Sequence, residues 1–147
     1  MAEPTGGATR PLPSGAVALL SATFDRLSLA RLRGALTDCG AANGLRDLAL
    51  SNFVLAVNEI ATNAVRHGGG AGRVGLWRAE DRLWCEVVDT GRGITDGRLN
   101  GFNRPQPGHI GGWGLWLARH ICERVDIETG RSGTRVILQY PLPRPSS

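Results

Sequence analysis

The chain has 147 residues, of which 41% are hydrophobic and 20% are charged, so we expect one globular domain rather than two. The net charge is +4, but every basic residue is a scattered arginine and no nucleic-acid-binding motif accompanies them, which disfavours direct contact with nucleic acid. No apolar run approaches the roughly 20 residues that span a bilayer, and no secretory signal begins the chain. We therefore expect a cytoplasmic protein without a membrane partner.

The predicted elements are a mixture of strands and helices. Residues 1–14 are rich in proline, glycine and threonine and are predicted to be a flexible lead-in. Apolar periodicity and turn residues then predict strands over 16–24, 72–77, 83–88, 125–128 and 134–140, and helices over 27–39, 47–67 and 113–124.

Hairpins outnumber strand–helix–strand units in this order, which predicts an α+β fold. We expect a two-layer sandwich, in which a mixed, mainly antiparallel sheet is covered by helices on one face. The domain is predicted to span 15–141, with a flexible tail over 142–147 and a long glycine- and proline-rich loop over 91–112. Three cysteines, Cys39, Cys85 and Cys122, are widely spaced and are predicted to be reduced packing residues rather than a disulfide or zinc framework.

Glu59 and Asn63 are four residues apart on the second predicted helix, so they are neighbours on its surface. An amide oxygen at Asn63 suits Mg²⁺ that also touches phosphates, and Glu59, one turn away, suits a general base. The alternative is a solvated polar row, which in isolation is the commoner explanation of such a pair. The apolar stripe of the helix is predicted to face elsewhere; it comprises Phe53, Val57, Ile60, Ala61 and Ala64.

Two glycine-rich segments follow. Asp89 ends a predicted strand and precedes Gly91 and Gly93; a carboxylate accepts the exocyclic amine of adenine, and glycines let the backbone approach a planar ligand. A strand-end turn is the alternative explanation. Gly112 and Gly114 open the third helix, where free amides attract phosphate; a hinge or close helix packing is the alternative. Neither segment is a Walker or a dinucleotide-binding motif.

Taken in order, the three motifs resemble the N, G1 and G2 boxes of the GHKL ATPase superfamily, which includes gyrase, Hsp90, histidine kinases and MutL. The resemblance covers about residues 16–140. It implies the Bergerat fold, with ATP and Mg²⁺ as cofactors. The matching positions are Asn63 for the metal, Asp89, Gly91 and Gly93 for adenine, Gly112 and Gly114 for the phosphates, and Thr134 as a hydroxyl that supports the adenine pocket.

The runs over 59–68 and 112–118 are most similar to the anti-sigma-factor kinases of bacteria, in particular to short actinobacterial members. This similarity implies a protein serine kinase, with Glu59 as general base, that sequesters a sigma factor and phosphorylates a STAS-domain anti-anti-sigma protein. A homodimer is implied by the same analogy alone. Since lysine is absent, Arg92 or Arg104 is the candidate for neutralising phosphate charge.

Three alternatives stay open at this point. The first is a non-catalytic module in which ATP orders a binding surface. The second is a detached catalytic domain of the histidine-kinase type, which is disfavoured because the residues before Glu59 predict one strand and one helix rather than a helical hairpin with a phosphoaccepting histidine. The third is an α+β fold unrelated to nucleotides.

Overall fold

The computed structural model describes residues 13–67, 69–89, 113–130 and 133–143. Within these residues the chain forms five strands and three helices. In chain order they are β1 (Val17–Asp25), α1 (Leu29–Ala42), α2 (Asp47–His67), β2 (Ala71–Ala79), β3 (Arg82–Asp89), α3 (Trp113–Ile121), β4 (Arg124–Gly130) and β5 (Gly133–Pro141).

The strands form one sheet in the order β1-β2-β3-β5-β4, and every neighbouring pair is antiparallel. The helices follow the same order across the sheet, because α1 contacts β1, α2 contacts β2 and β3, and α3 contacts β4. The helix α2 also packs against both other helices. The predicted two-layer α+β sandwich is thus confirmed, with a sheet that is antiparallel throughout the described strands.

The main core lies between the sheet and the helices. Alternation places Leu83, Cys85 and Val87 of β3 in this core, as the strand pattern predicts. The apolar stripe predicted for α2, from Phe53 to Ala64, is likewise buried. The packed chain continues past β5 to Leu142, which is buried and whose N–H donates to the Asp81 carbonyl at 2.8 Å.

By length and composition, α2 is the one helix in the described part of the chain that could cross a membrane. Its packing against α1, α3 and two strands is that of a central core helix. Its buried positions follow the helical repeat and leave the flank that carries Glu59 partly exposed.

A second, smaller cluster lies on the face of the sheet away from the helices. It contains Ala79, Trp84 and Ile137, with Trp77 packed against it. The indole of Trp77 lies over Gly75, where an added Cβ would stand 2.4 Å from the ring. The tryptophans Trp77 and Trp84 are therefore packing residues, as their apolar surface suggests.

The third helix ends earlier than the sequence predicts. The structure ends it at Ile121 and places Arg124 at the start of β4. The cause is tertiary: the Glu123 N–H donates to the Gln139 carbonyl of β5 at 2.8 Å, and the Arg124 guanidinium pairs with Asp126 at 3.0 Å. This hydrogen bond to the sheet ends the helix before another turn can form.

All three cysteines are free, and Cys85 and Cys122 are buried in the core, which agrees with their prediction as packing residues. Burial raises the pKa of the Cys122 thiol to about 12, and burial also raises the pKa values of Cys85 and Cys39. Because the thiolate is the reactive form, none of these side chains is an effective nucleophile at neutral pH.

Candidate functional site

One row of residues crosses the whole sheet at one end, with a single residue from each strand. Register pairs them side by side in the order Phe24, Gly72, Asp89, Thr134 and Thr129. We call this set the end row. It lies on the helix-facing side of the sheet. Asp89 is two residues after the core residue Val87 of β3, and Thr134 is two residues before the core residue Val136 of β5, so both lie on the same face as the core. The main core thus ends at this row, which is apolar at Phe24 and Gly72 and polar from Asp89 to Thr129.

The polar half of the end row is hydrogen-bonded. The Thr134 N–H donates to Asp89 Oδ1 at 3.3 Å, and the hydroxyls of Thr134 and Thr129 lie 3.1 Å apart. Asp89 is only 8% exposed and Thr134 only 6%. A strand-end turn does not require a buried carboxylate, and burying one is unfavourable without hydrogen bonds. Asp89 is thus a buried hydrogen-bond acceptor at the end of the main core.

The apolar half of the end row, Phe24 and Gly72, is closely packed beside Asp89, and Phe24 is only 3% exposed. A Cβ added at Gly72 would lie 2.5 Å from the Val88 carbonyl oxygen and 2.6 Å from the Phe24 ring. The ring of Phe24 therefore lies across Gly72, which only glycine allows. The sequence prediction misses both residues, although a glycine inside a strand pattern is a signal of such close approach.

The helix α2 brings Asn63 to the same end of the sheet. It ends at His67, and β2 begins at Ala71, one residue before the Gly72 that pairs with Asp89. At its other end the Tyr140 hydroxyl donates to the Ala49 carbonyl at 2.9 Å. From there the helix rises about 21 Å to Asn63, while β5 runs back about 20 Å to Thr134. Helix and strand thus bring Asn63 level with the end row.

The flank of α2 that carries Asn63 is buried in the middle of the helix and partly buried near its end. Ala49, Ala56 and Asn63 are seven residues apart and so lie on one flank of the helix. This flank contacts Tyr140 of β5 at Ala49 and is fully buried at Ala56. Asn63 and Glu59 are partly buried. Since α3 contacts both α2 and β4, α2 and α3 lie side by side on the sheet, and the candidate site is the region between them at the end row.

The first turn of α3, which contains Gly114, is directed towards the same end. The helix is followed by β4, whose first residue, Arg124, pairs with Gln139 at the opposite end of the sheet. The helix therefore begins on the side of the end row, and the first turn of a helix is in general a favourable place for an anion. Three elements that the sequence predicts to form the site converge in this way.

Several predicted site residues lie outside the described residues, namely Gly91, Gly93, Gly112, Arg92 and Arg104. Of the cavities lined by the described part of the chain, one of about 630 Å³ adjoins Trp84 and Gln139, and one of about 390 Å³ adjoins Phe24 and Val88. Neither is lined by Asn63 or Asp89. The candidate site between α2 and α3 is thus located by its helices and the end row rather than by either of these cavities.

The sequence matches the histidine kinase-like ATPase domain family over residues 20–140. The chain belongs to this family, which is of the GHKL type. The predicted resemblance is thereby confirmed at the level of the superfamily. A comparison with curated protein sequences gives no significant match.

Solved structures show the same fold. The RsbU and RsbW domains of Rv1364c from Mycobacterium tuberculosis are 25% identical, with a TM-score of 0.64, and the alignment covers 91% of this chain and 34% of that one. This chain thus spans about a third of that neighbour. The histidine kinase domain of the E. coli osmosensor EnvZ is 16% identical with a TM-score of 0.50, covering 97% and 96%. The catalytic domain of histidine kinase ThkA is 17% identical with a TM-score of 0.50, covering 83% and 95%. The last two similarities concern the fold alone.

Proposed function

We propose that this GHKL-type domain binds ATP with Mg²⁺ at the candidate site between α2 and α3. The observation that carries the proposal is the buried Asp89 carboxylate, bonded to the Thr134 N–H at the end of the sheet where Asn63 and the start of α3 also lie. Asp89 would accept the exocyclic amine of adenine. Asn63 would bind the metal through its amide oxygen, and the first turn of α3 would receive the phosphates.

The residues present suit such a ligand. Phe24 packs over Gly72 next to the buried Asp89 acceptor, so apolar and polar groups adjoin in the end row, as a site for a purine ring with an exocyclic amine would require. A bound ATP–Mg²⁺ complex supplies a phosphoryl group whose charge the metal neutralises. The protein's part is to hold the base, the metal and the phosphates in one orientation.

We further propose that the reaction is phosphorylation of a serine on a STAS-domain regulatory protein, and that the chain also sequesters a sigma factor. Support comes from the sequence motifs and from the likeness to a structure whose name includes an RsbW domain. Glu59 is the group that would remove the serine proton, because it lies one helical turn from Asn63 and is partly buried.

Removal of the Asn63 amide tests the nucleotide site. We expect titration calorimetry to show that Mg²⁺ strengthens ATP binding to the wild-type chain by at least about tenfold, and that Asn63→Ala loses this metal-dependent part. The difference in affinity between the variant and the wild type should be smaller for ADP than for ATP. The matched control is Asn52→Ala, on the same helix but three turns closer to its start. Equal metal dependence in both variants would count against Asn63 as the ligand.

The described part of the chain offers Arg66 as the cation for the phosphates. It lies one turn after Asn63, is exposed, and has no ion-pair partner among the described residues. Because a hydrogen bond to a charged group is stronger than a neutral one, we expect Arg66→Gln to weaken ATP binding by about tenfold and AMP binding much less. Fluorescence competition titrations measure both affinities.

The control for Arg66 is Arg46→Gln, which removes the same charge just before the opposite end of α2. It should change neither affinity by more than about twofold, since surface charges a Debye length apart are screened. If Arg46→Gln weakens ATP binding as much as Arg66→Gln, the effect is one of net charge, and Arg66 has no specific role.

A further inference from the structure

We propose that Thr129 is a positioning residue that orients the hydroxyl of Thr134, so that the end row selects adenine over guanine. The inference rests on the proposed ATP site and assigns a role to a residue that no sequence motif marks. Thr129 is the last member of the end row, on the edge strand β4, and is itself exposed.

The two threonines share one hydrogen bond. They face each other directly across β4 and β5, and their hydroxyl oxygens are 3.1 Å apart. A hydroxyl has one proton to donate and can accept two others. Within this hydrogen bond, either Thr129 donates to Thr134 or Thr134 donates to Thr129. The state of the pair decides where the proton of Thr134 can point.

The contact between Asp89 and Thr134 indicates which direction of the threonine hydrogen bond suits a ligand. Asp89 is acceptor-only when ionised, and its Oδ1 already holds the Thr134 backbone N–H. The Watson–Crick edge of adenine presents an amine donor beside a ring-nitrogen acceptor, whereas that of guanine presents the reverse order. Adenine thus requires one acceptor and one donor from the protein. Asp89 is the acceptor, and the hydroxyl of Thr134 is the donor when Thr129 donates to it.

A valine at position 129 would keep the branched shape but remove the hydroxyl. The Thr134 hydroxyl would then lose its fixed partner and rotate among several orientations. Part of the advantage for adenine would disappear, although Asp89 and Thr134 would both still be present. A serine at position 129 would keep the hydroxyl and should preserve the orientation.

The test combines substitutions at position 129 with a ligand that lacks one ring nitrogen. Thr129→Val, Thr129→Ser and wild type are titrated calorimetrically with ATP and with 1-deaza-ATP, which lacks the ring-nitrogen acceptor. We expect Thr129→Val to weaken ATP binding by about three- to tenfold, the range for one hydrogen bond, and 1-deaza-ATP binding by less than about twofold. Thr129→Ser should bind both ligands as the wild type does.

The outcomes separate this inference from the proposed function. Equal weakening towards both ligands in Thr129→Val would indicate a structural role and overturn the inference, as would an unchanged ATP affinity. Thermal unfolding of the same variants without ligand shows whether the fold is affected. A wild-type chain that binds no ATP would overturn the proposed function and, with it, this inference.

Discussion

Replacing Glu59 with glutamine is expected to reduce phosphoryl transfer to a protein substrate by at least about a hundredfold, the range for loss of a general base, with little change in ATP affinity. Glutamine keeps the shape of the side chain but cannot accept the proton of an attacking serine hydroxyl. Glu59 lies on the partly exposed flank of α2, one turn before Asn63. The measurement is transfer of labelled phosphate from Mg²⁺-ATP to candidate STAS-domain proteins.

The control for this prediction is Glu80→Gln, in the exposed turn between β2 and β3, where the side chain is 76% exposed. It should transfer phosphate at the wild-type rate. A Glu59→Gln chain that is as active as this control would exclude Glu59 as the base. Acid-stable and acid-labile phosphate should also be compared, because a phosphohistidine product would favour the histidine-kinase alternative.

A different result would favour the non-catalytic alternative. In that case the wild-type chain would bind ATP and change its affinity for a partner, yet transfer no phosphate to any candidate. Glu59→Gln would then be silent in every assay. Since a ligand shifts an equilibrium only through its differential affinity for two states, the partner's affinity should differ between the ATP-bound and nucleotide-free chain.

The elements that local patterns define are the ones that the sequence predicts best. The bounds of α2 agree with the prediction over 47–67, because a long apolar repeat ends at a run of glycines. The end of α3 is wrong by three residues, since the bond from the Glu123 N–H to Gln139 is a contact with a distant strand. Propensity alone extends a helix until such a contact stops it.

The candidate site likewise contains some residues that the sequence predicts and others that it does not. Asp89 and Thr134 can be chosen from their motifs, but their direct contact depends on β5 pairing with β3 rather than with β4 alone. Strand order of this kind is not contained in the alternation of either strand. For this reason the sequence alone does not predict Phe24, Gly72 or Thr129 as residues of the candidate site. Each becomes part of the site only when the five strands are aligned.

Gly72→Ala is expected to lower the free energy of unfolding by about 3 kcal/mol, at the upper end of the usual range for overpacking. The added methyl group would lie 2.5 Å from the Val88 carbonyl and 2.6 Å from the Phe24 ring. The carbonyl belongs to the adjacent central strand β3 and cannot rotate away, so the strands must separate or the ring must move. Urea unfolding followed by tryptophan fluorescence measures the change.

Gly34→Ala is the matched control. Gly34 lies within α1, and an added Cβ there meets nothing within 4 Å. Alanine should therefore stabilise the helix by up to about 1 kcal/mol. Adding Phe24→Leu to Gly72→Ala should recover part of the lost stability if the ring is one of the obstacles, because interacting residues are not additive. A Gly72→Ala chain as stable as the wild type would show that Phe24 does not lie against Gly72, which would contradict the close packing of the end row beside Asp89.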